Sequence, residues 1–185
     1  MKQDVHKDDQ DGRVAPGKDG ISRLPLWSRP GYLVRRLHQI HSAIFLDECQ
    51  GFGVTAVQYG LLSAIRFFPG SDQKTLGAEV GLDRTNVADV IERLAERGLV
   101  VRKRNDKDRR SKDVFLTSEG EALVDAMYAH MQRAQERLMK PLPPEFRPAF
   151  MSMLVDLVEG NNEHSRAELR QDFRRPTPGR KRKEA

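Results

Sequence analysis

Residues 72–120 decide the fold: DQKTLGAEVGLDRTNVADVIERLAERGLVVRKRNDKDRRSKDVFLTSEG. Asp72 is suited to cap a short helix, Gln73 to Val80, with Leu76 and Val80 pointing inward. Gly81 breaks that helix and permits a tight turn. Asp83, or nearby Thr85, caps a second helix carrying Val87, Val90, Ile91 and Leu94 on one side, and Arg97-Gly98 ends it. Two helices separated by a glycine turn of this length form a helix-turn-helix, with Gly77 placed where the first helix approaches the second. After Gly98 the period drops from 3.6 to 2. Leu99 to Arg104 reads as one strand and Asp113 to Thr117 as its partner, with an almost wholly charged stretch between them. The pattern is a β-hairpin with a long basic tip.

The same patterning extends outward on both sides. After Pro30-Gly31, Leu33, Leu37, Ile40 and Ile44 recur at helical spacing, with Val34, His38, His41 and Phe45 widening the stripe. That helix ends near Gly51 and Gly53. Thr55 caps another, with Val57, Leu61, Leu62, Ile65 and Phe68, stopped by Pro69-Gly70. Downstream, Thr117 and Glu119-Gly120 open a long helix predicted to turn Leu123, Val124, Met127, Tyr128, Met131 and Leu138 inward and to end at Pro141. Pro143-Pro144 start a final helix with Phe146, Phe150, Met153, Leu154, Leu157 and Val158 on its apolar side. Residues 1–22 are polar and Gly-rich, and residues 166–185 are basic. Both are expected to be disordered tails, because neither carries enough apolar surface to offset the entropy of ordering.

Composition bounds the function classes. Of 185 residues, 38% are hydrophobic, enough for one core of ordinary domain size. Lys and Arg outnumber Asp and Glu 32 to 27, for a net charge of +5, a balance compatible with an anionic partner. The single cysteine, Cys49, excludes a disulfide within the chain. There is no run of about 18 apolar residues to span a membrane, and the N-terminus does not resemble a signal peptide. The chain reads as soluble and cytoplasmic. Its histidines form no metal-ligand cluster with Cys49, and no nucleophile motif, phosphate loop or paired-carboxylate signature stands out. Neither a metal, a cofactor nor an enzymatic activity is expected.

The segment from Asp106 to Gly120 resembles the wing signature of the MarR family of bacterial regulators: an Asp-x-Arg-Ser element, a strand ending Leu-Thr, then a helix start containing Gly. Asp108, Arg110, Ser111, Leu116, Thr117 and Gly120 take those places. The resemblance covers about Tyr32 to Asn162. It implies a mainly α fold with a small β-hairpin wing (α+β): a winged helix-turn-helix at 55–117 within a domain at 23–165. The α-helical dimerisation region would use helices at 30–50, 119–140 and 144–165. It further implies a homodimer that binds pseudo-palindromic duplex operators, usually as a repressor, and is released by a small molecule. The stretch from Pro30 to Gln39 is similar to a subgroup controlling aromatic acid breakdown, whose members sense the acid or its coenzyme A thioester.

Within that frame, the exposed face of the second motif helix offers Arg84 and Asn86 for base edges, Thr85 for a base or phosphate, and Arg93. Asp89 and Glu92 would repel phosphate and are expected to orient Arg93. Gln73, Lys74 and Thr75 are placed to contact phosphates. The wing supplies Arg104, Lys107, Arg109, Arg110 and Lys112, with Arg110 the candidate for minor-groove insertion and Asp108 its aligning partner. For an effector, the resemblance points to a pocket lined by the first, second and fifth helices. Trp27, Tyr32, Arg36, His41, Phe45, Tyr59 and Arg66 would combine aromatic walls with cationic or hydrogen-bonding groups. Two rival readings are a redox-sensing thiol at Cys49 and, in a different class, an enzyme or scaffold that does not bind DNA.

Overall fold

The computed structural model describes residues 25–105, 112–165 and 167. The terminal tails, apart from Ala167, and the wing tip with Lys107, Asp108, Arg109, Arg110 and Ser111 lie outside the described residues. The chain divides into two units, residues 1–43 and 44–185.

Helix α1 runs over Pro30–Cys49 and continues into a 3-10 turn, Gln50–Phe52. Proline at its first position is tolerated because the first amides of a helix have no intrahelical partner. Helix α2, Ala56–Phe67, starts with a full capping box: the Thr55 hydroxyl accepts from the Gln58 amide while the Gln58 side chain accepts from the Thr55 amide. A two-residue strand β1, Ser71–Asp72, leads directly into α3, Gln73–Val80. Helix α4 follows at Arg84–Glu96, then β2, Val100–Arg104, and β3, Lys112–Leu116. The long α5 spans Ser118–Met139 and is capped by the Thr117 hydroxyl, which accepts from Gly120 N. A 3-10 turn at Pro144–Phe146 precedes α6, Arg147–Gly160. The mainly helical fold with a small antiparallel wing agrees with the expectation, with one addition. The sheet has three strands in the order β1-β3-β2, so β3 is central.

The core of the second unit forms where the apolar stripes of α2, α3, α4 and α5 meet the sheet. Leu61, Leu62, Ile65, Leu76, Val87, Ile91, Leu94, Val114 and Met127 are fully buried. Their removal from water is the main stabilising term. The helix-turn-helix closes tightly at two glycines. Gly81 takes a left-handed φ of +68°, and a Cβ on Gly77 would lie 2.9 Å from the Leu82 carbonyl oxygen. Close approach also marks Gly120, where an added Cβ would fall 2.1 Å from the Leu99 carbonyl oxygen. That contact seats the first turn of α5 on the start of β2, where Thr117 Oγ1 also donates to the Gly98 carbonyl at 2.7 Å.

Two expectations about facing need correction. Tyr128, predicted to point inward from α5, is 60% exposed, one step off the stripe formed by Val124, Met127 and Met131. Helix α6 buries no residue in the single chain: Met153, Leu157 and Val158 are exposed, and Phe150 and Leu154 are only half-buried.

Candidate nucleic-acid interface

Helix α4 presents its first turn outward because its apolar residues point the other way. Val87, Ile91 and Leu94 are buried and Val90 partly so, whereas Arg84, Thr85, Asn86, Asp89 and Arg93 are exposed. Of the two possible caps, Asp83 is the one used, its Oδ1 accepting from Asn86 N at 2.9 Å. Its second oxygen accepts from Asn86 Nδ2 at 2.7 Å. The Asn86 amide is thereby oriented, with its Oδ1 left as an acceptor. Neither Asp89 nor Glu92 holds Arg93 by a hydrogen bond or ion pair. The expected alignment is therefore corrected: the helical spacing puts them within range, but exposed side chains gain little from pairing in water.

Helix α3 lies beside this surface with Lys74 exposed and Thr75 half-buried. The Thr75 amide is already taken by the Asp72 carboxylate at 2.7 Å, so only the hydroxyl remains to donate outward. Asp72 also belongs to β1, opposite Asp113 of β3, and Asp113 is in turn opposite Lys103 of β2. Asn105 Nδ2 donates to Asp113 Oδ1 at 2.7 Å and closes the stem of the wing. Lys103 Nζ stands 5.1 Å from the Phe115 ring centroid. Arg104 and Lys112 are paired across the stem and exposed, which gathers positive charge at the last described step before the tip.

The expected effector residues fall in both units. In the first, Trp27 is exposed in a 3-10 turn at Leu26–Ser28, the Tyr32 ring lies under the Arg35 guanidinium, Arg36 donates to Gln39, and His41 is half-buried. In the second, Phe45 is buried with its ring centroid 6.5 Å from that of Tyr59. Arg66 is engaged by Asp125 of α5, so it is not a free cation. A shallow cavity of about 380 Å³ opens between α2 and α5, lined by Tyr59, Tyr128, Met131, Gln132, Gln135 and Glu136. Of these only Tyr59 is expected from sequence. The α5 residues are missed because the facing of that helix is misjudged at Tyr128.

At the far end of α5, Arg133 and Arg137 pair with Glu48, and Arg137 also with Asp47. Two carboxylates at the C-terminal end of α1 are unfavourable for that helix alone, and the two guanidinium groups offset them. Arg137 first, then Arg133, holds the Glu48 carboxyl below its ordinary range. Cys49 beside it is 1% exposed, its Sγ 3.9 Å from Met131 Sδ; burial first, then the Glu48 charge, pushes the thiol up.

A helix-turn-helix followed by a small antiparallel wing defines a winged-helix DNA-binding regulator. The family model that matches, over residues 52–111, is that of the MarR family. The transcriptional repressor NicR of Pseudomonas putida is 31% identical over 151 residues, which span 80% of this chain and 96% of NicR. Among solved structures, PcaV of Streptomyces coelicolor in complex with its natural ligand superposes with a TM-score of 0.67 at 31% identity, over 73% of this chain and 95% of PcaV. BpsR of Bordetella bronchiseptica, whose DNA binding is regulated by 6-hydroxynicotinic acid, does so with a TM-score of 0.65 at 31% identity, over 69% of this chain and 96% of BpsR. The chain belongs to the MarR family of transcriptional regulators. Among the described residues, no helix is long and apolar enough to cross a membrane.

Proposed function

We propose that the chain acts as a cytoplasmic homodimer that represses transcription from a pseudo-palindromic operator and lets go when an aromatic carboxylate, or its coenzyme A thioester, binds. The observation that carries the DNA reading is the first turn of α4: Arg84, Thr85 and Asn86 stand exposed on a helix whose opposite face is locked into the core. Such a turn enters the major groove, with two copies about 34 Å apart on one face of the duplex. Arg84 suits guanine. Asn86, with Nδ2 held by Asp83, offers Oδ1 as an acceptor for adenine N6 or cytosine N4. Lys74 and Thr75 from α3, and Arg93, Arg104 and Lys112, would meet the phosphate backbone. Arg109 and Arg110 would follow the wing into the flanking groove, with Asp108 aligning Arg110.

The dimer reading rests on apolar side chains that one copy leaves in water: Leu33, Val34 and Ile40 of α1, and Met151, Met153, Leu157 and Val158 of α6. In this reading, helices at 30–50, 119–140 and 144–165 interlock with those of a second copy, and 55–117 forms the reading head. The effector class follows the relatives, among them BpsR with 6-hydroxynicotinic acid. In this chain Trp27, Tyr32, Arg36, His41, Phe45 and Tyr59 are the residues to test. Arg66 would need release from Asp125 to take part. A regulator rather than an enzyme is favoured because the relatives are transcription regulators. A thiol sensor at Cys49 is disfavoured, since burial and the raised pKa suppress the thiolate that such chemistry needs.

The test is selection of duplexes from a random library, followed by gel shifts with the enriched sequence. The expected product is a two-fold symmetric site whose binding is abolished by Arg84→Ala and weakened by Arg110→Ala while the dimer persists. Titration with 6-hydroxynicotinic acid, other aromatic acids and their thioesters should dissolve the complex. Failure to enrich any duplex at low salt overturns the DNA reading, and release by none of these compounds overturns the effector class.

A further inference from the structure

Recognition helix α4 is held to the rest of its unit by more than apolar packing. Its C-terminal residue, Arg97, reaches across the chain: Nη1 donates to the Gly53 carbonyl at 2.7 Å and Nη2 approaches the Phe52 carbonyl at 3.4 Å. Those carbonyls lie at the end of the 3-10 turn that prolongs α1, where the last acceptors of a helix lack intrahelical partners and carry partial negative charge. A planar guanidinium fork matches two successive carbonyls as a single ammonium cannot. The acceptor segment is itself anchored. The Phe52 ring meets the His130 ring of α5 edge-on, with centroids 4.9 Å apart, and His130 Nδ1 lies 2.8 Å from the Glu48 carbonyl. Arg133, next to His130 on α5, binds the Glu48 carboxylate. One continuous set of contacts thus runs from the end of α4 through residues 48–53 to α5.

Apolar packing of Val87, Ile91 and Leu94 holds α4 in place but resists small rotations weakly, because it is non-directional. The two hydrogen bonds from Arg97 set the direction. We infer that Arg97 is a positioning residue for operator binding: it fixes the angle of α4 against the α1 end and α5, and so the separation of the two recognition helices in the dimer. This rests on the dimeric DNA reading given above. Arg97 touches no base or phosphate in this scheme. Its loss leaves each head able to bind, but the second head arrives misaligned, which lowers its effective concentration at the second half-site.

The experiment compares the full chain with Arg97→Ala and Arg97→Lys on two duplexes: the symmetric site enriched by the wild type, and the same site with one half scrambled. For Arg97→Ala, half-site affinity should stay within twofold of wild type. The ratio of full-site to half-site affinity should fall roughly three- to tenfold, the scale of a charge-assisted hydrogen bond partly exposed to water. Arg97→Lys, which keeps one donor to Gly53, should lie between; it also carries the comparison should the alanine variant fail to fold. Duplexes with half-sites moved by one base pair should discriminate less in the alanine variant than in the wild type. An unchanged ratio in both variants, or an equal fall on both duplexes, overturns the inference while the DNA reading stands. A wild type that enriches no duplex overturns both.

Discussion

Gly120→Ala tests how the wing is seated on the helical core. An alanine Cβ there would be 2.1 Å from the Leu99 carbonyl oxygen. A carbon rarely approaches such an oxygen closer than roughly 3.3 Å, so about 1.2 Å of separation must be found. The obstacle is backbone, and the same carbonyl accepts from Thr117 N at 3.1 Å, so moving it strains the joint between β2 and α5. Overpacking of this kind costs about 3 kcal/mol at the upper end of its usual range. The gain from replacing glycine inside a helix returns at most about 1 kcal/mol. The net loss is about 2 kcal/mol, a Tm lower by roughly 4–8 °C for a chain of this size. Gly60→Ala supplies the control. Gly60 lies mid-helix in α2 with open space where its Cβ would stand, so the same chemical change should raise stability by about 0.5–1 kcal/mol. Calorimetry and urea unfolding of both variants, at one protein concentration because a dimer's stability depends on it, read the two signs directly. A Gly120→Ala protein as stable as wild type, or two variants shifting the same way, refutes the reasoning.

Cys49 should react with a disulfide reagent such as DTNB only after unfolding, and peroxide should not release DNA. Prompt labelling of the native protein at neutral pH would contradict its burial. Glu48→Gln should destabilise the protein by an amount that is constant above about pH 5, because a depressed carboxyl pKa stabilises the fold only above its unfolded value. Urea titrations should show the difference between wild type and variant shrinking as the pH falls through the lowered value; growth of that difference in acid would refute the sign. Lys112→Ala should weaken binding evenly across sequences and reduce the slope of log K against log salt by about 1 in gel shifts; an unaltered slope removes Lys112 from the phosphate contacts.

The reading head was legible because its signals are local. Asp72, Gly81, Asp83 and the Arg97-Gly98 pair each act on the backbone within a few residues, and the change of period after Gly98 exposes the hairpin. Strand β1 was invisible, since Ser71 and Asp72 are too few to show alternation and owe their pairing to β3 far along the chain. Tyr128 was misplaced because apolar spacing alone does not say how wide the buried stripe of α5 is. The Arg97 contacts and the Arg66–Asp125 pair join residues 44 and 59 positions apart, a separation that no periodicity encodes. The oriented amide of Asn86 follows from which of two eligible residues caps α4, a choice that the sequence left open.

Asp72 is at once a strand residue and the cap of α3, so the stem of the finger and the start of the neighbouring helix share one amino acid. Neither can slide without carrying the other along. A fingertip in one groove and a helix end on the adjoining sugar-phosphate chain are therefore set apart by a rigid caliper, and distortion of the duplex, rather than of the protein, must absorb any misfit between them.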